Sequence, residues 1–330
     1  MHLISIVIPF YQPKAKFNTC IKSILNQTEK NFELILVNNN ADQASRQIAN
    51  KFAKEDSRIK IIEEKRQGVV YASNRGMAEA KGEFLVRMDA DDIMDINRLK
   101  IQKEYLLTNK HCDVVSSKIK FEGNIEAEGF KQYVDWLNNI TSYEDILLNQ
   151  FIESPIVNPS VMIRRHVPES HGWYLDGDFP EDYELWLRWL SNGVIIEKTP
   201  QTLHHWVDSE ERLTRTDDRY SIDSFFKIKS KYLANHLKSK NINSVCIWGA
   251  GRKSRQRLNM LTDHGITVKS FIDFKSKEIN GIPCYNYNSA DYAQLPFILS
   301  YVSNRGKRNE IRAFLKTKGK IEGKDFLCVG

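Results

Sequence analysis

The sequence predicts an α/β protein: a mostly parallel central sheet with helices on both faces, followed by a smaller α/β unit. Three observations predict it. Short apolar strands alternate with helical stripes through the first 92 residues, the pacing of a parallel sheet wrapped by helices. Polar or aromatic punctuation falls at the ends of several of those strands: Pro9-Phe10-Tyr11, Asn38-Asn39-Asn40 and Asp89-Ala90-Asp91. Near residue 244 the pattern restarts with a strand, a glycine turn and a helix.

The elements follow in order. Ser5 to Pro9 reads as a first strand; Met1 to Pro9 lacks the basic start and small-residue cleavage site of a signal peptide. Phe17, Ile21, Ile24 and Leu25 form a helical stripe. Phe32 to Val37 and Ile59 to Glu63 read as strands, with a helix over Ser45 to Lys54 between them. Gly68 to Ala80 is a loop entering a helix, and Phe84 to Met88 a fourth strand. Beyond it come a helix over Arg98 to Leu107, a strand over Asp113 to Ser117 and a helix over Tyr143 to Leu148. Ser160 to Arg164 is another apolar run. A helix starts after Pro180 with Glu181 and Asp182 in its first turn, where negative charge suits the helix dipole. Val194 to Glu197 is a strand leading to Leu203-His204-His205-Trp206. Asp217 to Lys240 is long, basic and helical in pattern. Ser244 to Trp248, a strand ending at Asp273, and Phe297 to Val302 are the later strands, with helices over Arg252 to Leu261 and Asn309 to Lys318.

At 330 residues the chain has room for two domains. Its 41% hydrophobic and 27% charged residues are those of a soluble globular protein. No apolar run reaches the roughly 20 residues that span a bilayer. Five scattered cysteines (Cys20, Cys112, Cys246, Cys284, Cys328) form no CxxC pair. They read as free buried thiols of a cytosolic protein, with no structural zinc site. The net charge of +6 divides unevenly: residues 1–215 carry 27 Lys+Arg and 32 Asp+Glu, residues 216–330 carry 21 and 10. The tail is therefore a basic surface, either merely solvated or facing an anionic partner such as a membrane.

The acidic run Asp89-Ala90-Asp91-Asp92 concentrates chemistry. Three carboxylates in four residues at a strand end repel one another, and burial adds a desolvation cost. A hard divalent cation would relieve both. The alternative is an acidic turn capping the helix that starts near Asp95-Ile96-Asn97.

Six segments, in order and at their spacing, carry a resemblance: Ile8-Pro9-Phe10-Tyr11, Phe32 through Asn40, Gly68 through Gly76, Ala80-Lys81-Gly82-Glu83-Phe84, Arg87 through Asp92, and Glu181-Asp182-Tyr183-Glu184-Leu185-Trp186-Leu187-Arg188. Together the first 215 or so residues resemble the family 2 glycosyltransferases of the GT-A fold. The resemblance implies a nucleotide-sugar donor, most often a UDP-sugar, and a DxD motif at Asp89 and Asp91 that holds Mn2+ or Mg2+ against the diphosphate, with Ala90 on the donor and Asp92 in support. It places Pro9, Phe10 and Tyr11 around base and ribose. Asn38, Asn39 and Asn40 stand where relatives often carry aspartates; an asparagine oxygen can still accept a hydrogen bond from a uracil. Gly68, Asn74 and Arg75 fall near the diphosphate. Ser73 replaces a frequent arginine, and Lys65 or Arg66 is expected to restore the charge. His204, His205 and Asp208 are candidate further ligands or structural groups. Asp182 becomes the general base, with inversion at the anomeric carbon. Trp173 and Tyr174 either stack on an acceptor sugar or pack in the core.

The expected domains are 1–215 for the GT-A unit, 216–240 for a helical linker and 241–330 for a Rossmann-like unit. In the last, Gly249-Ala250-Gly251 precedes a helix and Asp273 follows 22 residues after Gly251, part of a dinucleotide fingerprint with Ser254 in place of the third glycine. The implied function is assembly of a bacterial surface polysaccharide or glycolipid on a saccharide or polyprenyl-linked acceptor. The expected location is cytoplasmic, with peripheral contact at the inner membrane face through Lys227, Lys229, Lys231, Arg252, Lys253, Arg255, Arg257, Arg305, Lys307 and Arg308. Nucleic acid is not among the expected partners. A nucleotide- or dinucleotide-binding protein, or a catalytically silent GT-A scaffold, is the alternative.

Overall fold

The computed structural model describes residues 2–123, 128–208 and 213–330. The first unit comprises residues 1–146 and 155–218, the second 147–154 and 219–330.

In the first unit the elements are β1 (Ile4–Phe10), α1 (Lys16–Leu25), β2 (Phe32–Asn38), α2 (Gln43–Glu55), β3 (Ile59–Glu63), α3 (Val69–Glu79), β4 (Phe84–Arg87), β5 (Ile93–Met94), α4 (Arg98–Thr108), β6 (Val114–Glu122), α5 (Glu128–Asn138), α6 (Tyr143–Asn149, which runs into the second unit), β7 (Met162–Arg164), α7 (His166–His171), α8 (Glu181–Ser191), β8 (Ile196–Val207) and α9 (Leu213–Thr216). They build an eight-stranded sheet in the order β3-β2-β1-β4-β7-β6-β8-β5. The pairs β2–β3, β1–β2 and β1–β4 are parallel, so the carboxyl ends of four strands share one edge. Strand β7 pairs antiparallel with both β4 and β6. The sheet's apolar residues and those of α1 and α2 share one core in which Ile6, Ile8, Leu34, Leu36 and Val86 are fully buried.

Helix α3 lies so close to the sheet that its contact residue must be glycine. A Cβ on Gly76 would sit 2.3 Å from Cγ1 of Val7 and 2.7 Å from Cγ2 of Val37. Glycine to alanine in a helix normally adds stability. Here Gly76→Ala is expected to cost about 2–3 kcal/mol, the penalty of overpacking, read as a lower urea midpoint. An unchanged or higher midpoint would show that α3 can retreat freely.

The second unit contains α10 (Ile222–Ser239), β9 (Ser244–Trp248), α11 (Arg252–Thr262), β10 (Thr267–Asp273), β11 (Lys277–Ile279), β12 (Ile282–Asn286), β13 (Phe297–Ser300), α12 (Arg305–Thr317) and β14 (Phe326–Cys328). Its six-stranded sheet runs β11-β12-β10-β9-β13-β14. The helix expected as a linker belongs to this unit, because α10 buries Phe226, Ile228, Leu233, Ala234 and Leu237.

Two cations expected on the surface of the tail are interior. Lys229 is 3% exposed and donates to the Ile152 and Val329 carbonyls, and burial drives its ammonium well below the ordinary lysine range. Arg308 is 1% exposed and donates to the Gly330 carbonyl. Both have found backbone oxygens where an unpartnered buried charge would be costly. All five cysteines are buried and free. Among the described residues, no helix is long and apolar enough to cross a membrane.

Candidate functional site

The site grows from the shared strand edge. Register pairing puts Phe10 beside Asn38, and Asn38 beside Glu63. The Phe10 ring turns inward, stacking on Phe17 at 4.9 Å with 2% exposure, so it is a core residue. Of the two rings expected to face a base, Tyr11 is the exposed one, at 48%. Pro9 is half-buried just before them.

The three asparagines act first as staples. Asn38 donates to Glu63 Oε1 at 3.2 Å and accepts from the Ala41 N–H at 2.9 Å. Asn39 donates to the Glu64 and Arg66 carbonyls and accepts from the Gly68 N–H at 2.9 Å. Asn40, at φ 59°, donates to the Lys65 carbonyl. Together they fasten loop 64–68 over the sheet edge. The Asn38 oxygen keeps a second lone pair, whereas Asn39 Oδ1 also accepts from Gln67 Nε2 at 3.3 Å and is doubly used.

That loop walls a cleft of about 380 Å³ lined by Arg66, Tyr71, Asn74, Arg75, Tyr174 and Asp176, among others. The Arg66 guanidinium lies 4.5 Å from the Tyr71 ring centre, a cation–π contact, and the Tyr71 hydroxyl donates to Asp176. Asn74 donates to the Tyr174 carbonyl at 2.9 Å, while its Oδ1 is buried with no hydrogen-bond partner among the described residues. Such an atom normally has one. Ser73 is buried, and Arg75 pairs with Glu79 at 3.0 Å. Tyr174 is 3% exposed and donates to Asn158 at 2.7 Å, so its ring is core. Trp173 stays half-buried, its ring 6.5 Å from Trp189.

The acidic turn separates its carboxylates into different tasks. Asp92 is fully buried; it accepts from the Val207 N–H and pairs with His204 Nε2, both at 2.9 Å. His204 is also fully buried, with Arg98 Nη1 3.1 Å from its Nδ1. Arg98 in turn donates to Gln102. Both ring nitrogens of His204 are therefore engaged, and it acts as a structural group. His205 pairs with Glu122 at 2.8 Å and Asp208 with Arg215 at 2.9 Å. Asp89 and Asp91 are only half-buried, with the buried Ala90 between them. The Cys20 thiol donates to the Asp89 carbonyl and steadies the turn. The N-cap residue of α4, Asn97, makes no side-chain cap bond, and Gln27 Oε1 accepts from the first-turn Leu99 N–H, so the acidic turn is not serving as its cap.

Among the described residues, no group of three His, Cys, Asp or Glu side chains is placed to hold a metal alone. Two half-exposed carboxylates are nonetheless the donor set that suits a hard cation sharing its shell with phosphate oxygens and water.

Asp182 opens α8. Burial raises its pKa from 3.8 to about 7, with help from the adjacent Glu181; the Tyr183 N–H and Arg87 pull the other way. Further along the helix, Glu184 holds Arg188 at 3.0 Å, and Arg188 donates to the carbonyls of Gly172 and Trp173. Through Arg188 the helix thus holds the 171–174 segment.

Arg87 was not singled out by sequence reasoning. It is 5% exposed, its Nη1 grips Asp89, and its Nε has no hydrogen-bond partner among the described residues. Because it also acts on Asp182, one guanidinium serves the acidic turn and the proposed base. The available signal was a lone arginine ending an apolar strand two residues before Asp89. The chain Asp92–His204–Arg98–Gln102 was also missed; its members lie up to 112 residues apart.

The model of the family described as glycosyl transferase family 2 matches residues 5–171, half of the chain. The chain belongs to that family. An uncharacterized glycosyltransferase of Haemophilus influenzae is 29% identical over 257 residues, covering 74% of this chain and 79% of the relative. One from Methanocaldococcus jannaschii is 28% identical over 255 residues, covering 74% and 84%. Among solved structures, Staphylococcus aureus TarS 1–349 in complex with UDP-GlcNAc superposes on this family 2 glycosyltransferase with a TM-score of 0.56 at 16% identity, covering 80% of each chain. The mannosyltransferase PcManGT of Pyrobaculum calidifontis, in complex with GDP-Man and Mn2+, reaches 0.50 at 14% identity, covering 79% and 69%. At those identities the likeness shows the shared GT-A fold.

Proposed function

We propose that this glycosyltransferase is an inverting, divalent-metal-dependent enzyme. It moves a sugar from a nucleoside-diphosphate donor, a UDP-sugar foremost, to a hydroxyl of a saccharide or polyprenyl-linked acceptor in surface polysaccharide or glycolipid assembly. The observation that carries the reading is Asp182, a partly buried carboxylate with a pKa near 7 on the rigid start of α8, linked through Arg87 to the acidic turn. A base tuned near the working pH is best placed to take a proton. The solved relatives support the donor class: TarS is complexed with UDP-GlcNAc, and PcManGT with GDP-Man and Mn2+.

In this reading Asp182 takes the acceptor hydroxyl's proton as that oxygen attacks the anomeric carbon from the face opposite the leaving diphosphate. One displacement inverts the centre. Asp89 and Asp91 would hold Mn2+ or Mg2+, which when bound would supply Lewis-acid neutralisation of diphosphate charge. Arg66 and Asn74 line the cleft beside the diphosphate, Gly68 and Asn39 set the loop that closes it, and Tyr11 offers its ring to the base. Lys227, Lys231, Arg252, Lys253, Arg255 and Lys307 are exposed, and in this reading such cations suit the anionic inner leaflet.

A thermal-shift screen of nucleotide sugars with and without Mn2+ tests the donor reading, because a ligand that binds only the folded state raises its apparent stability. One sugar nucleotide is expected to raise the midpoint with Mn2+, and Asp91→Ala to abolish the metal-dependent part. The reading fails if no nucleotide sugar shifts the midpoint, or if Asp91→Ala retains the full effect.

A further inference from the structure

The second unit holds a cavity of about 500 Å³ that the transfer reaction leaves unused. Its walls come from the carboxyl ends of the sheet: Trp248 ends β9, Asp273 ends β10, Tyr287 follows β12 and Val302 follows β13. The chain builds β10 and β12 to one side of β9, then returns to place β13 on the other. Open α/β sheets bind ligands in the crevice at such a reversal.

The lining has a definite chemistry. Trp248, Phe274, Tyr287 and Phe314 ring the space, with Trp248–Phe314 centroids 5.6 Å apart, Phe274–Tyr287 5.6 Å and Tyr287–Phe314 5.5 Å, all edge to face. Phe274 is 75% exposed, a costly position for a ring of that size unless something covers it. The charged lining is Asp273, Lys307 and Glu310, the last two paired at 2.8 Å.

Next to the aromatic wall, Asp273 holds the Ala250 N–H, and beyond it the start of α11 favours an anion. Gly249, a lining residue, takes φ +99°, and the turn it starts leads into α11. Gly251 caps that helix without a side-chain acceptor, and a Cβ built on it meets nothing within 4 Å. The first turn of α11 has no acid and begins with exposed Arg252 and Lys253. Positive side chains against the positive end of a helix are unfavourable, and an anion between them reverses the sign.

A dinucleotide is a poor match. Asp273, the acid that would meet a ribose, already accepts from the Ala250 N–H at 2.9 Å and the Phe274 N–H at 2.7 Å, so a ribose hydroxyl would have to share its remaining lone pairs. Ser254 replaces the third glycine of the fingerprint.

We propose that this cavity is a second nucleotide site, taking a nucleoside mono- or diphosphate with its base among the four rings and its phosphate toward the start of α11, without a metal ion. The test uses the full chain in EDTA, titrated with UMP, CMP, AMP, GMP and NAD, and with inorganic phosphate and N-acetylglucosamine, by calorimetry. One mononucleotide is expected to bind at one site per chain. Phe274→Ala and Arg252→Glu, both at exposed positions, should each weaken it tenfold or more. Asp91→Ala should leave it unchanged, which separates this site from the donor site. The proposal is overturned if no mononucleotide binds without metal, or if both tail variants bind it as the unaltered chain does. NAD or N-acetylglucosamine binding in preference to every mononucleotide would overturn it too.

Discussion

Asp182→Asn is expected to abolish transfer while making the folded protein more resistant to heat. Losing a general base lowers turnover by about 10²–10⁴-fold; donor binding, which rests on the acidic turn and the cleft, should persist. The stability gain has a separate cause. Burial disfavours the Asp182 carboxylate, and Glu181 adds repulsion. Asparagine keeps the shape and removes the charge. A three-unit shift caps the gain at about 4 kcal/mol; the side chain's partial exposure and its coupling to Glu181 reduce that to about 1–2 kcal/mol, a rise of a few degrees in melting temperature at neutral pH. Loss of activity with a lower melting temperature would mean that the variant is misfolded. Retained activity would remove Asp182 from the role of base.

The pH dependence fixes the sign independently. The folded pKa of Asp182, about 7, lies above the ordinary 3.8, so the folded state prefers the protonated acid. The stability this group contributes is fully present below pH 3.8 and is lost as pH rises through about 7. Activity should move the other way, since only the carboxylate accepts a proton. Transfer rate is therefore expected to rise with pH across about 7, where the unaltered protein loses stability relative to Asp182→Asn.

Much of the fold was legible because strands that are buried on both faces declare themselves. Ile4 through Phe10, Phe32 through Asn38 and Phe84 through Arg87 are nearly continuous apolar runs. Where the chain compromised, the pattern failed. Sequence reasoning separated Val194–Glu197 from Leu203–Trp206; they belong to one strand, Ile196–Val207. Its register against β6 shifts between the Ser117–Thr199 and Lys118–Thr202 pairs, and Pro200 falls in that interruption, where a strand tolerates proline. Strand β5 has two residues, too few for a period. Helix α10 looked like a connector because of its lysines, yet a helix keeps charges on one side and buries the other.

The candidate site divides on the same principle. Local motifs placed Asp89, Asp91 and Asp182 by number, since each sits at an element's end with a recognisable signature. What those residues touch depended on long-range geometry. Asn39 looked like a ligand-facing group and Tyr174 was open between acceptor stacking and core; their side chains are used first to hold loop 64–68 and Asn158. His204 was open between ligand and structural group, and burial makes it a brace for Asp92.

Arg87→Met follows from that geometry and has the second largest expected effect. The substitution keeps an apolar-sided chain of similar length and removes the guanidinium that grips Asp89 and draws Asp182 toward its ionised form. Removing one partner of a buried ion pair leaves the other uncompensated; the cost is about 3–5 kcal/mol when both are interior, and half-exposed Asp89 brings it to about 2 kcal/mol. Two consequences should appear together. The pH at which transfer rate rises should move upward, because Asp182 loses a favourable charge, and Mn2+ should tighten rather than weaken its hold on Asp89 and Asp91, since their net negative charge is no longer offset. A purely structural arginine would lower stability and move neither the pH limb nor metal affinity. Arg87→Lys should restore the pH limb without restoring the fork that grips Asp89, because a lysine supplies the charge as a point and not as a plane. If the pH limb of Arg87→Met stays where it is, the link between the acidic turn and the base is absent, and Asp182 is tuned by its burial and Glu181 alone.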